Sequence, residues 1–129
     1  MKYRKSKAVL VVLLALTIAG CAAKRPIHPG AGNQFDSNAY DALLVTDSII
    51  TSTRTDLNNN VFPPSIAPKV KDAINYVITA YNAANTSYRI YHAAVANGTV
   101  TPAQQAAVSD GLNQISGATT ALVNAKAGK

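Results

Sequence analysis

The stretch that decides the fold is residues 67–97, APKVKDAINYVITAYNAANTSYRIYHAAVAN. Ala67, Ile74, Tyr81, Tyr88 and Val95 recur every seven residues, and Val70, Val77, Ala84 and Tyr91 form a second such series three positions on. Apolar residues at this spacing share one side of a helix, because seven residues make almost two turns. The seam holds from about residue 66 to residue 97, roughly 48 Å at 1.5 Å per residue. Ala73, Ala80, Ser87 and Ala94 flank it with small side chains, so a neighbouring helix can approach closely. Ser65 is suited to capping the start, and Pro68 falls in the first turn, where no intrahelical N–H is lost. Asn97-Gly98 supplies a stop of the kind in which glycine takes the left-handed conformation.

Working outward, Thr101-Pro102-Ala103-Gln104 opens another helix with a cap, proline at the first helical position and Gln at the third. Val108, Ile115 and Leu122 then recur every seven residues, joined by Leu112 and Thr119. Gly111 and Gly117 each lower intrinsic helix stability by about 1 kcal/mol relative to Ala. Their presence is rational if each lets another helix pack close. The connection Gly98-Thr99-Val100 is short, which makes these two helices antiparallel neighbours. On the other side, Leu43, Ile50 and Leu57 recur with Ala39, Thr46 and Thr53 between them. That stripe predicts a helix starting at Asp36 or Ser37, with Phe35 stapled onto Tyr40. Asn58-Asn59-Asn60 and Val61-Phe62-Pro63-Pro64 end it. The expected fold class is all-α: a small up-down-up three-helix bundle over residues 36–129, placed after a flexible tether.

The N-terminus has a different character. Lys2, Arg4, Lys5 and Lys7 precede a run from Ala8 to Ala19 that is apolar apart from Thr17. About a dozen residues fall well short of the roughly 20 a helix needs to span a bilayer. A basic start followed by a short apolar run and small residues is the pattern of a secretory signal peptide. Leu16-Thr17-Ile18-Ala19-Gly20-Cys21 resembles the lipobox of bacterial lipoproteins, with an aliphatic residue at Ile18, small residues at Ala19 and Gly20, and then Cys21. The resemblance implies a diacylglycerol on the Cys21 thiol, cleavage by signal peptidase II before it, and acylation of the freed amine with a fatty acid such as palmitate. Residues 1–20 are then a signal peptide, and residues 21–35 a lipidated cysteine and tether interrupted by Pro26, Pro29, Gly30 and Gly32. Ala22 follows the cysteine. In lipoproteins of double-membraned bacteria an Asp there commonly retains the protein at the inner membrane, so Ala22 implies the outer membrane, facing the periplasm.

The formal charge of +6 changes meaning once the signal peptide is set aside. Eight basic residues then stand against six aspartates, and the basic ones are scattered. Nucleic-acid binding needs a clustered patch that displaces counterions, so nucleic acid is excluded as a partner. Cys21 is the only cysteine, which rules out a disulfide within the chain.

Chemistry is sparse. His28 lies in the tether, and His92 stands four residues after Tyr88, where the two make a polar ladder with Asn85 and Tyr81 on one helical face. The sequence favours a rim histidine packed on tyrosines over a ligand or proton-transfer group. No metal quartet, glycine-rich phosphate loop, serine elbow or paired-carboxylate motif is present, and the chain has no glutamate. The expectation is therefore a non-enzyme with no cofactor and no metal.

The tyrosines are the remaining constellation. Tyr76, Tyr81, Tyr88 and Tyr91 all fall on the long helix, and tyrosine is enriched at protein interfaces. Tyr81, Tyr88 and Tyr91 lie on the seam and are expected to fill the core. Tyr76 and Ile90 lie off it, with Ala83 midway at the same heptad phase, and mark a candidate interface. The functional expectation is an envelope interaction or scaffold module, held by membrane lipid through acylated Cys21 and binding an envelope protein. Two other readings compete with it. A phage-type exclusion or inhibitor lipoprotein would bind one outer-membrane receptor. A small-ligand-binding lipoprotein would need a cavity between helices, against which Ala73, Ala80, Ala84 and Ala94 argue for tight packing.

Overall fold

A computed structural model describes residues 26–129; the segment read as a signal peptide, and Cys21, lie outside the described residues. Three helices follow in order: α1 (Gln34–Asn58), α2 (Ala67–Ala96) and α3 (Pro102–Lys126). They form an all-helical bundle, in which α2 packs extensively on α3, less on α1, and α1 barely meets α3. No helix among the described residues is long and apolar enough to cross a membrane.

Starts and stops have local causes. The box at Thr101 forms as its residues suggest: the Gln104 N–H donates to Thr101 Oγ1 at 3.2 Å, and the Thr101 N–H donates to Gln104 Oε1 at 2.8 Å. Proline at Pro102 completes that entry. α2 begins after Ile66 without a side-chain cap, so Ser65 does not act as the cap its type suggested. α1 begins at Gln34, ahead of Asp36, because the side chain of Asn33 accepts the Asp36 N–H at 2.9 Å. Phe35 does not staple onto Tyr40; its ring meets Tyr91 edge-on at 5.1 Å.

All three helices end alike. Past each last turn one residue turns left-handed: Asn60 at φ 54°, Gly98 at 66° and Gly128 at 78°. The next N–H then reaches back five residues, from Val61 to Asp56, from Thr99 to Ala94 and from Lys129 to Asn124. This paired closure satisfies carbonyls that would otherwise lack partners at a helix end.

The core follows the heptad series. Val70, Ile74, Val77, Ala84, Tyr88 and Tyr91 of α2 are buried, as are Val108, Leu112, Ile115 and Leu122 of α3. Tyr81 and Val95 are only half-buried, because their positions lie where the bundle edge opens. Gly111 does what its smallness suggested. A Cβ added there would sit 2.8 Å from the Ala84 Cβ and 2.9 Å from its Cα, so the two helix backbones are nearly in contact. Gly117 does not: it is exposed, with nothing within 4 Å of an added Cβ, and Ala118 faces the core instead.

Candidate functional site

The main polar cluster sits where α1 starts and α2 ends, around Asp36. Its position at the third residue of α1 places a carboxylate at the positive end of the helix, where backbone N–H groups are unpaired. Asp36 is wholly buried. One carboxylate oxygen accepts the Gly32 N–H at 2.8 Å. His92 Nδ1, one turn before the end of α2, lies 3.0 and 2.9 Å from the two oxygens. A carboxylate only accepts, so Nδ1 carries the hydrogen. The Tyr88 ring stacks on His92 with centroids 5.7 Å apart, which sets it beside Asp36. Burial first, and the neighbouring Asp36 charge second, push the Tyr88 hydroxyl far above the usual tyrosine range.

A second layer surrounds this one. Asn33, the α1 cap, donates from Nδ2 to the Tyr91 hydroxyl at 3.1 Å. The His28 N–H donates to the buried Ser37 Oγ at 2.8 Å, and the His28 ring lies 4.3 Å from Tyr40. Tyr40 in turn faces Tyr88 at 6.4 Å. Residues 26–33 contain no helix or strand, and from His28 onward the segment is fastened to the bundle.

Chemically, this is a clamp. Nδ1 of His92 is committed to the carboxylate, and Asp36 is the ring's sole hydrogen-bond partner among the described residues. Among the described residues no group of His, Cys, Asp or Glu is placed to hold a metal ion. The sequence reading placed His92 beside Tyr88 correctly but missed Asp36, which it assigned only to a cap. No signal connects two residues 56 positions apart on different helices, so packing alone reveals the pair.

The candidate interface lies elsewhere on α2. Tyr76 is 58% and Ile90 55% exposed, and Ala83 between them is exposed as well. All three occupy one heptad phase of a 30-residue helix whose opposite side is locked into the core. At the far end of the bundle, Arg54, Leu57, Pro64, Pro68, Lys71 and Ile74 line an open groove.

No protein-family model matches the chain, nor does any curated protein or solved structure.

Proposed function

We propose that this chain is a lipid-anchored envelope protein whose helical domain is a non-catalytic interaction module. The observation that carries the reading is the exposed stripe Tyr76–Ala83–Ile90, two large apolar residues with a small one between them on the longest helix of the described fold. Isolated apolar residues on a surface need no explanation, but an aligned set on a firm backbone suits recognition, since little entropy is lost on docking. The anchor rests on the lipobox-like segment ending at Cys21. Two or more acyl chains hold a protein stably at a membrane, where one alone is marginal. The non-catalytic part is supported by His92, whose ring ties two helices together.

Replacing both Tyr76 and Ile90 with Ser tests the interface. Helicity and melting temperature should stay nearly unchanged while cross-links to an envelope partner disappear. A large loss of stability would assign both residues to the core instead. Cys21→Ser, in parallel, should abolish incorporation of labelled fatty acid; continued labelling would remove the anchor from the reading.

A further inference from the structure

The described chain has two chemically different ends. One holds the start of α1, the end of α2 and the α2–α3 turn; the other holds the α1–α2 connection and the end of α3. At the first, residues 26–35 and 90–109 contain no Asp, Glu, Lys or Arg. The sole formal charge there is Asp36, which is buried against His92. The second end carries Arg54, Asp56, Lys69, Lys71, Asp72, Lys126 and Lys129. The uncharged end also exposes two aliphatic side chains, Ile27 at 50% and Val100 at 39%.

The leash leads to that same end. Among the described residues the chain is first fastened at His28, through its bond to Ser37, and then at Gly32, through its bond to Asp36, and this bounds the leash's reach. From Cys21 to His28 is seven residues, which reach about 25 Å at most when fully extended. A spacer running free to residue 35 would have reached about 50 Å. α2 alone is about 45 Å long. An anchored bundle is thus confined with its uncharged end beside the bilayer, and standing upright it holds its charged end beyond the leash's reach.

We infer that the charge-free end, through Ile27 and the Asn97–Thr101 turn carrying Val100, is a lipid-contacting surface that seats the bundle end-on at the membrane interface. The inference rests on the lipid-anchor reading of Cys21. Moving an ion out of water towards the acyl boundary is costly, whereas uncharged groups and aliphatic side chains gain there. The long sides of the bundle are worse suited, since they carry exposed Asp41, Asp47, Arg89 and Asp110. Lys24 and Arg25, within four residues of Cys21, add attraction to anionic headgroups. End-on seating leaves the Tyr76–Ile90 stripe standing along the membrane normal, open to a partner.

The test uses the sole-cysteine sequence. With Cys21 acylated, a cysteine introduced at Val100, Tyr76 or Ser65 is the single free thiol and takes a fluorophore. Each acylated variant is reconstituted in vesicles of phosphatidylethanolamine and phosphatidylglycerol bearing a headgroup quencher. The Val100→Cys label should lose most of its fluorescence, and the Ser65→Cys label at the charged end should keep it. Equal quenching at both ends would overturn the inference, as would stronger quenching at Tyr76→Cys, which means the bundle lies flat. Flotation with the vesicles is read separately. Protein that fails to float overturns the anchor, while protein that floats with equal quenching overturns only the seating.

Discussion

The two interfaces of α2 are built on different principles. Towards α3 the contact is made of small and aliphatic groups: Ala84 meets Gly111 almost backbone to backbone, and Ala80, Ala118 and Ala125 are buried in the same core. Towards α1, the buried stripe of the partner helix is largely polar: Asp36, Ser37, Thr46 and Thr53 alternate with Ala39, Leu43 and Ile50. Thr46 satisfies itself by donating to the Ala42 carbonyl, but Asp36 and Thr53 need help from other helices. His92 supplies it at one end of α1 and Lys126, donating to Thr53 Oγ1 at 2.7 Å, at the other. α2 and α3 thus form a hairpin held by shape, while α1 is pinned at its two ends by charge-assisted bonds. Shape complementarity resists a change of volume. Pinning resists a change of position, but fails when a single acceptor goes.

The largest effect should come from Val77→Asp, because Val77 is fully buried within the apolar core. An unpaired buried charge belongs to the short list of changes costing more than about 4 kcal/mol. Thermal denaturation should show no folded baseline, whereas Asn82→Asp on the outer face should melt like the parent. Similar melting of the two would mean that the seam does not hold the molecule together.

Asp36→Ala should come next, at about 3 kcal/mol, since it strips an acceptor from Gly32 and His92 at once. The comparison sharpens in where the loss appears. Amide exchange should accelerate through α1 and stay slow through the α2–α3 seam; uniform acceleration would show that the two interfaces unfold as one.

Gly111→Ala tests the α3 side and should cost about 1–2 kcal/mol, the overpacking against Ala84 outweighing the gain in helix propensity. Stabilisation in urea denaturation would mean that the helices separate easily and that shape is not what holds them.

The smallest effect is a slope. The Tyr88 hydroxyl ionises far above its ordinary value of 10.0 in the folded state. The folded protein therefore keeps a proton that the unfolded chain gives up, and stability falls as pH rises through and beyond 10. Tyr88→Phe should flatten that decline in melting temperature. An unchanged slope would place the alkaline sensitivity in another tyrosine.

The contrast between the interfaces also explains what the sequence revealed. Apolar periodicity and cap chemistry report local geometry, so the α2–α3 hairpin, its turn and the Thr101 box were all readable. So was α1, since Ala39, Leu43 and Ile50 lie where the stripe put them. Its pins were not: Asp36 reads only as a cap, and Thr53, although on the stripe, carries no sign that Lys126 of another helix meets it. Gly117 misled for a related reason: a glycine in a helix signals close approach only when a neighbour is present. The exposure of Tyr76 and Ile90 was legible as absence from both heptad series. The docking of residues 28–33 was not, since a stretch rich in proline and glycine looks the same whether loose or fastened.

That fastening has a mechanical consequence. Load applied from the N-terminal side reaches the domain through the His28–Ser37 and Gly32–Asp36 bonds, at the tip of α1. A helix pulled from its tip unzips turn by turn, and each step breaks few bonds. Asp36 passes that load to α2 through His92, so this clamp must yield before α1 unzips, and the α2–α3 hairpin, joined along the chain through the far end of α1, comes apart after it. The molecule therefore carries a weak link in series with a strong one: tension lengthens the leash by consuming α1 while the Tyr76–Ile90 stripe stays on an intact helix.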